Sequence, residues 1–438
     1  MMHQKTHSTT NYLKPFIFMV TLMALIGFIT SLNQQFQAPL KSTFLIGATG
    51  YENSLSTMLN FAFFVAYLVI GPFASSYLNR QGYRAALLKG IRFVMYAMIL
   101  FLLSALLFEF AKSGKYISGS VNQIPIGSIT LPLSFFIFLA GSFVSGAGLT
   151  FLQSSVNPYL VICEVRGTTG VTRQNIGGTG NSLMTTLAPL FVAYVVFGGK
   201  HTDAMQIADM IIPFAVLVVL MALLWWGVGT VHLPELEETR HDEQNIKAGT
   251  LLGNFPHLTF GILGLFVYVG CEVCIGSNII HYATGDLGVL YQTAVLWSTL
   301  YWLGMLIARF LSSFLSMVKA ETQLFIAALA ALLLVILSMV LKDARFLIAV
   351  GLFHSVMWGA VYALALEGLG KYAAQGSGFL LMGVVGGAVL PFLQGIWADA
   401  AGSWGMTWII LIVGEAYLLF YAVAAPKWIR RTIERSFN

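Results

Sequence analysis

Glu272 lies near the centre of an apolar stretch, Phe260 to Ile280, where an ionised carboxylate would face hydrocarbon unless it lined a cavity or found a partner. Placing a charged group at mid-helix in a bilayer costs roughly 2.5–3.5 kcal/mol on insertion scales, so such a residue is first read as functional. On a helix Tyr268, Glu272 and Gly276 share one face at i, i+4 and i+8. Glu272 is read here as an acid without a cationic neighbour, able to load and release a proton; the alternative is a neutral Glu held by hydrogen bonds. A second acid, Glu415, stands in Gly414-Glu415-Ala416 of a later apolar stretch. It reads chiefly as structural and is kept as a second coupling candidate. His354, also within an apolar stretch, reads as a core histidine before a relay, and Arg309 as a side chain that snorkels to headgroups.

Amides, hydroxyls and aromatic rings cluster elsewhere in the apolar regions, a set that suits a neutral polyhydroxylated ligand by hydrogen bonding and ring stacking. One run holds Ser31, Asn33, Gln34, Gln35 and Gln37, equally explicable as an outer interface. A second holds Gln153, Ser154, Ser155, Asn157 and Pro158, where proline removes a backbone hydrogen bond. A third holds Asn181, Ser182, Thr185 and Thr186 before Pro189, and Gly276-Ser277-Asn278 reads as a break after Glu272. Asn33, Gln34, Gln153, Asn157, Asn181, Tyr268 and Asn278 are therefore candidate ligand contacts. Soluble-enzyme chemistry finds little support. The eight His show no metal-ligand spacing and no GxxxxGK[ST] loop occurs, so no metal, cofactor or ATP coupling is expected. Cys271 and Cys274 flank Glu272 as a loose CxxC, but with Cys163 they read as buried small hydrophobes.

The elements that must position these residues are membrane helices. The 438 residues are 58% hydrophobic and only 9% charged, against about 25% charged in soluble domains. Apolar stretches of about 20 residues, enough to cross roughly 30 Å of hydrocarbon, number twelve. They fall near 15–36, 54–78, 86–110, 132–160, 178–198, 208–230, 257–281, 289–313, 321–341, 346–367, 376–398 and 405–425. With the N-terminus in the cytoplasm, every Lys and Arg but Lys41, Lys112, Lys115, Lys200, Lys342 and Arg345 lies inside, which places both termini there. The net charge of +5 reflects that bias and suggests no nucleic acid. The polar segment 233–255 divides the chain into an N-terminal six-helix bundle, 1–232, and a C-terminal one, 256–438. Two such halves rocking about a mid-plane site is the plan of the major facilitator superfamily. The Gly-containing basic turn Asn79-Arg80-Gln81-Gly82-Tyr83-Arg84 fits that plan, and the small residues Gly141, Ser145, Gly148, Gly383, Gly386 and Gly387 read as helix-packing surfaces.

The segment Tyr268-Val269-Gly270-Cys271-Glu272-Val273-Cys274-Ile275-Gly276-Ser277 resembles the YVGxEVxxGS signature of the glucose/galactose transporter branch of the fucose:proton symporter family. Leu152 to Tyr159 is similar to that branch's LQxxxNPY, and Asn181 to Pro189 to its NSLxTTLAP. The runs Gly368 to Tyr372, Gln375 to Gly378 and Gly386 to Ala388 match its GLGKY, QGSG and GGA. The resemblance covers both halves. It implies an all-α fold of twelve helices in two six-helix bundles. It also implies import of a monosaccharide or derivative through a bacterial inner membrane, as a monomer, driven by protons or sodium. Three departures bear on selectivity and coupling. The family's Asn-Asp in the first span is Asn33-Gln34, its Gln in the fifth lies within Gly177-Gly178-Thr179-Gly180, and its Phe-Pro-Thr in the tenth is Trp358-Gly359-Ala360. They leave Glu272 as the main titrating candidate, add Trp358 to the ligand contacts, and point toward a larger sugar such as an N-acetylated hexosamine. Uncoupled sugar uniport is the alternative, with a sugar-sensing receptor behind it.

Overall fold

In the computed structural model, residues 13–114, 117–163, 165–166, 168, 170–201, 204–230, 248–312 and 318–437 are described. Twelve helices among them are long and apolar enough to cross a membrane. They fall into two sets of six, one on each side of the joining segment, as hydropathy predicts. The spans run Leu13–Thr43, Glu52–Leu78, Arg80–Ser113, Leu133–Leu160, Arg173–Val196, Ile207–Gly229, Pro256–Gly285, Tyr291–Leu311, Ala320–Leu341, Arg345–Leu366, Gln375–Ala401 and Gly405–Thr432. Most of the segment joining the halves, up to residue 247, lies outside the described residues; Ala248–Asn254 closes it as a short helix.

Burial sorts the spans into layers. The first, fourth and seventh are 61%, 67% and 67% buried, whereas the sixth and ninth are 28% and 33%. The first group is central and the second peripheral, so Glu272 stands on a central helix. A small antiparallel hairpin, β1 (Gln123–Ile126) and β2 (Ile129–Pro132), joins the third and fourth spans. Helix periodicity gave no sign of it, because its strands have only four residues each. Near the start of the third span the chain turns at Gly82, whose φ of 80° only glycine adopts readily.

Two local breaks differ from the expected one. The seventh helix runs unbroken from Pro256 to Gly285, so Gly276-Ser277-Asn278 is not a discontinuity. Gly276 is there for close approach: a Cβ would lie 2.2 Å from the Trp302 ring of the eighth span. The first span breaks instead, at Phe36, between helices Leu13–Gln35 and Gln37–Thr43. Pro39 accounts for this, since it offers no N–H to the Gln35 carbonyl and its ring crowds that group. The polar run at this break is not an interface. Ser31, Asn33, Gln34, Gln35 and Gln37 are all at most 2% exposed.

Glycines set the tightest helix contacts. A Cβ at Gly386 would come within 1.7 Å of the Phe266 backbone oxygen, and one at Gly383 within 2.6 Å of that of Ile262, so the eleventh span lies flush on the seventh. Gly378, on the same span, faces open space. Gly386→Ala is therefore expected to lower stability by about 1–3 kcal/mol, the usual penalty of overpacking. Gly378→Ala should change it by less than about 0.5 kcal/mol, as surface substitutions do. Thermal unfolding of the solubilised protein compares the two.

Candidate functional site

Glu272 projects from the midpoint of the seventh helix. Its neighbours Tyr268, Val269, Gly270, Cys271 and Val273 are buried, yet Glu272 itself is half-buried. Among its buried neighbours on this central helix, Glu272 alone keeps partial accessibility. Its carboxyl lies close enough to the Tyr268 hydroxyl, the Arg309 guanidinium and the His354 imidazole for each to act on it. The expected acid without a cationic neighbour is thus corrected: the eighth and tenth spans bring basic groups to it. Arg309 does not snorkel. It points inward, donating from Nη1 to Ser182 Oγ of the fifth span at 2.8 Å. That bond joins the two halves. Helix phase carried the signal, because Ser298, Tyr301, Trp302, Met305 and Arg309 recur at helical spacing and form one inward stripe.

Around Glu272 stand aromatic rings. Trp358 lies edge-on to Tyr268 at 6.3 Å and stacks on Tyr362 at 6.3 Å and 16°. Both Trp358 and Tyr362 are half-buried, giving an accessible aromatic wall on the tenth span. Glu415 is fully buried, with Oε1 2.8 Å from His354 Nε2, while His354 Nδ1 is 2.7 Å from the Tyr301 hydroxyl. Glu272, Tyr268, Trp358 and, through His354, Glu415 are therefore one cluster in the C-terminal half.

The other candidates are distributed differently. Gln153 donates to the Tyr67 hydroxyl at 3.3 Å and remains half-buried, and Asn157 accepts from Gln174 at 3.1 Å with similar exposure. Asn181 binds the Met23 carbonyl at 3.0 Å, where Gly27 lets the first and fifth helices touch. Asn33 is 2% exposed and spent on packing: Ser142 donates to its Oδ1 at 2.6 Å and its amide reaches the Leu59 carbonyl at 3.5 Å. Gln34 is equally buried, with Oε1 lacking a hydrogen-bond partner. Asn278 binds Gln394 at 2.9 Å, which donates on to Thr407 at 3.0 Å, a separate network about 9 Å along the helix from Glu272.

At the end of the bundles remote from the joining segment, the halves are fastened together. Gln35 reaches the Gly276 carbonyl at 3.3 Å and Ser298 at 3.4 Å; Asn60 donates to Ser277 at 3.2 Å; Gln292 donates to the Gly199 carbonyl at 2.7 Å. The Asp399 carboxylate accepts from the backbone N–H groups of Asn53 at 2.9 Å and Ser54 at 2.7 Å, capping the second span from the opposite half. Sequence reading missed this cap because its partners are 345 residues apart. A helix cap is worth about 0.5–2 kcal/mol, so Asp399→Ala should raise the population open at this end by several-fold. Labelling of a reporter cysteine at Thr57, buried against Gly395, measures it; an unchanged rate would show that the cap does not hold this end. The background is quiet. All three native cysteines are buried and unpaired, and burial pushes the Cys163 thiol up, away from its reactive form.

No family model matches the chain. It is 28% identical over 435 residues to the glucose/galactose transporter of Brucella abortus biovar 1 (strain 9-941), covering 97% of both chains. It is 23% identical over 419 residues to the L-fucose-proton symporter of Escherichia coli (strain K12), covering 90% of this chain and 89% of that one. Among solved structures, the major facilitator transporter FucP in the outward conformation superposes with a TM-score of 0.64 at 22% identity, over 94% of this chain and 99% of that one. These similarities run the length of both bundles. The chain is therefore similar along its whole length to a glucose/galactose transporter and an L-fucose-proton symporter, and it shares the fold of the major facilitator transporter FucP.

Proposed function

We propose that this protein is a secondary active transporter that imports a monosaccharide or sugar derivative by alternating access, coupled to a cation, with the proton as the leading choice. The observation that carries this reading is Glu272, a half-buried residue whose carboxyl lies near Tyr268, Arg309 and His354 beside an aromatic wall. Full-length similarity to a glucose/galactose transporter and an L-fucose-proton symporter supports the ligand class. The half-buried groups Gln153, Asn157, Trp358 and Tyr362 supply the amides and ring faces that recognise a hexose or N-acetylhexosamine. Asn33, Asn181 and Asn278 act as positioning groups, since their amides are committed to neighbouring helices.

The cycle follows from the two ends. With the remote end fastened by Gln35, Asn60 and Asp399, the cycle has the chamber open toward the joining segment; the excess of Lys and Arg supports a cytoplasmic side for that segment, and the bacterial relatives support an inner membrane. Sugar and proton enter when the remote end opens, and leave on the cytoplasmic side when Glu272 releases its proton. A monomer suffices for this scheme.

Uptake of radiolabelled hexoses and N-acetylhexosamines into proteoliposomes with an imposed pH gradient tests the reading. Accumulation of one sugar above its external concentration, collapsing with the gradient, is the expected result. Uptake that ignores both proton and sodium gradients would identify a uniporter, and dependence on sodium alone would replace the proton.

A further inference from the structure

We infer that Tyr301, His354 and Glu415 form a second proton-binding site, sealed inside the C-terminal bundle, and that its proton occupancy is reported to the Glu272 turn through the Tyr301 hydroxyl. This rests on the proton-coupled reading above and adds a site to it.

The three side chains come from three helices, and glycines let them meet. A Cβ at Gly351 would lie 2.3 Å from the Tyr301 backbone oxygen, which brings the tenth span against the eighth one turn before His354. A Cβ at Gly414 would lie 2.5 Å from Cys271 Sγ, so the twelfth span closes on the seventh beside Glu415. His354, Glu415 and Tyr301 are all 0% exposed. Three contacts link them to one another and to the seventh helix: His354 Nε2 to Glu415 Oε1 at 2.8 Å, His354 Nδ1 to the Tyr301 hydroxyl at 2.7 Å, and the Tyr301 hydroxyl to the Glu272 backbone oxygen at 3.4 Å.

Each contact needs one hydrogen, and the supply of hydrogens decides the state. Tyr301 has a single O–H. If it donates to His354 Nδ1, nothing is left for the Glu272 carbonyl, which can only accept. The trio then holds Nε2–H against a carboxylate and carries one net negative charge with no exposure to water. Such a charge is costly in a protein interior, and Glu415 Oε2, buried without a hydrogen-bond partner, makes it costlier. With one more proton, Nδ1–H donates to the Tyr301 oxygen, the Tyr301 O–H turns to the Glu272 carbonyl, and the imidazole remains hydrogen-bonded to Glu415. All three contacts are then satisfied and the trio is neutral overall. The added proton forms one bond to the trio, and no covalent bond other than those to exchanging protons is made or broken.

The surrounding groups fit a site read by Glu272. Tyr268, Cys271 and Glu272 face the trio from the seventh span, with the Tyr268 ring 5.9 Å from that of His354. Arg309 acts on Tyr268 and Glu272 from the eighth. A proton lost from the trio frees the Glu272 carbonyl and places a negative charge near the Glu272 carboxyl, so the two sites disfavour being empty together.

Proton occupancy can be measured without transport. Nitrogen-15 NMR of histidine-labelled protein in lipid, with the His354 signals assigned by His354→Gln, reports which ring nitrogens carry hydrogen. Infrared difference spectra assigned by Glu415→Gln report whether that carboxyl is protonated. The expected result at neutral pH is either a doubly protonated His354 with ionised Glu415, or a singly protonated His354 with protonated Glu415. A His354 protonated only at Nε2 beside an ionised Glu415 would overturn the proposal, whether or not the protein transports. In proteoliposomes, Glu415→Gln should cut gradient-driven accumulation at least 10-fold while sugar counterflow stays within about 3-fold of the parent. Equal accumulation in both proteins would also overturn it, whereas failure of the parent protein to accumulate any sugar would instead reject the proton-coupled reading. Tyr301→Phe, which removes one hydroxyl and keeps the ring, serves where Glu415→Gln fails to fold and is expected to lower accumulation in the same sense.

Discussion

Glu272→Gln is expected to abolish accumulation against a gradient, a loss of at least 100-fold in the steady-state concentration ratio relative to an imposed proton gradient, while equilibrium exchange of sugar continues. The amide keeps the size of the carboxyl and can still lie beside Tyr268, but it cannot take up or release a proton between pH 4 and 10. Coupling requires the loaded carrier and the empty carrier to differ in proton content. Removing the group that changes protonation leaves the two indistinguishable to the gradient. The substituted carrier can still rock, because the contacts that fasten the remote end involve Gln35, Asn60 and Asp399, not Glu272. Counterflow in proteoliposomes preloaded with sugar checks the second half of the expectation. A variant that accumulates sugar like the parent would remove Glu272 from coupling.

Arg309→Met has the second largest expected effect, on both transport and counterflow. The guanidinium bridges the halves at Ser182 and faces Glu272 within its own half. Methionine fills part of the volume but provides neither donor nor charge. Loss of a hydrogen bond to a charged group costs about 1.5–3 kcal/mol, and an ionised Glu272 left without its cationic neighbour adds to that. A fall in counterflow of tenfold or more follows, since 1.4 kcal/mol is a factor of ten. Ser182→Ala, which removes one acceptor and leaves the charge, should cost less than Arg309→Met. Initial rates of counterflow for the three proteins order the effects; a Ser182→Ala defect as large as that of Arg309→Met would mean that the bridge matters more than the charge.

The placement of Arg309 shows where sequence reading stops. Hydropathy located twelve spans because burial in lipid demands about 20 apolar residues whatever lies next to them, and Glu272 and Glu415 stood out against that background. An arginine near the end of a span has two outlets, the headgroups or the interior, and composition does not choose between them. Helix phase would have chosen. Arg309 lies 11 residues after Ser298, close to three full turns, on the stripe that carries Tyr301 and Trp302.

Gly276-Ser277-Asn278 failed for a different reason. Small and polar residues in series favour a helix break on local grounds, but here each is engaged by a distant partner: Trp302 lies over Gly276, Asn60 donates to Ser277, and Gln394 accepts from Asn278. Their partners lie 26 to 217 residues away in the chain. The break in the first span was legible in Pro39, whose missing N–H falls opposite Gln35, although the polar residues around it suggested an interface. Ligand contacts were the least legible class. Asn33 and Gln153 are both mid-span amides in polar runs, and only packing distinguishes the one locked between helices from the one left half-buried.

The claim beneath the whole scheme is that the Glu272 side chain opens into water and sugar between the bundles. Glu272→Cys, with the native cysteines buried as a silent background, tests it most directly with a small charged thiol reagent. Modification of the reconstituted protein is expected from the side of the joining segment, slowed several-fold by the transported sugar and by no other sugar. A cysteine at 272 that no reagent reaches from either side, or whose rate ignores every sugar, would contradict it.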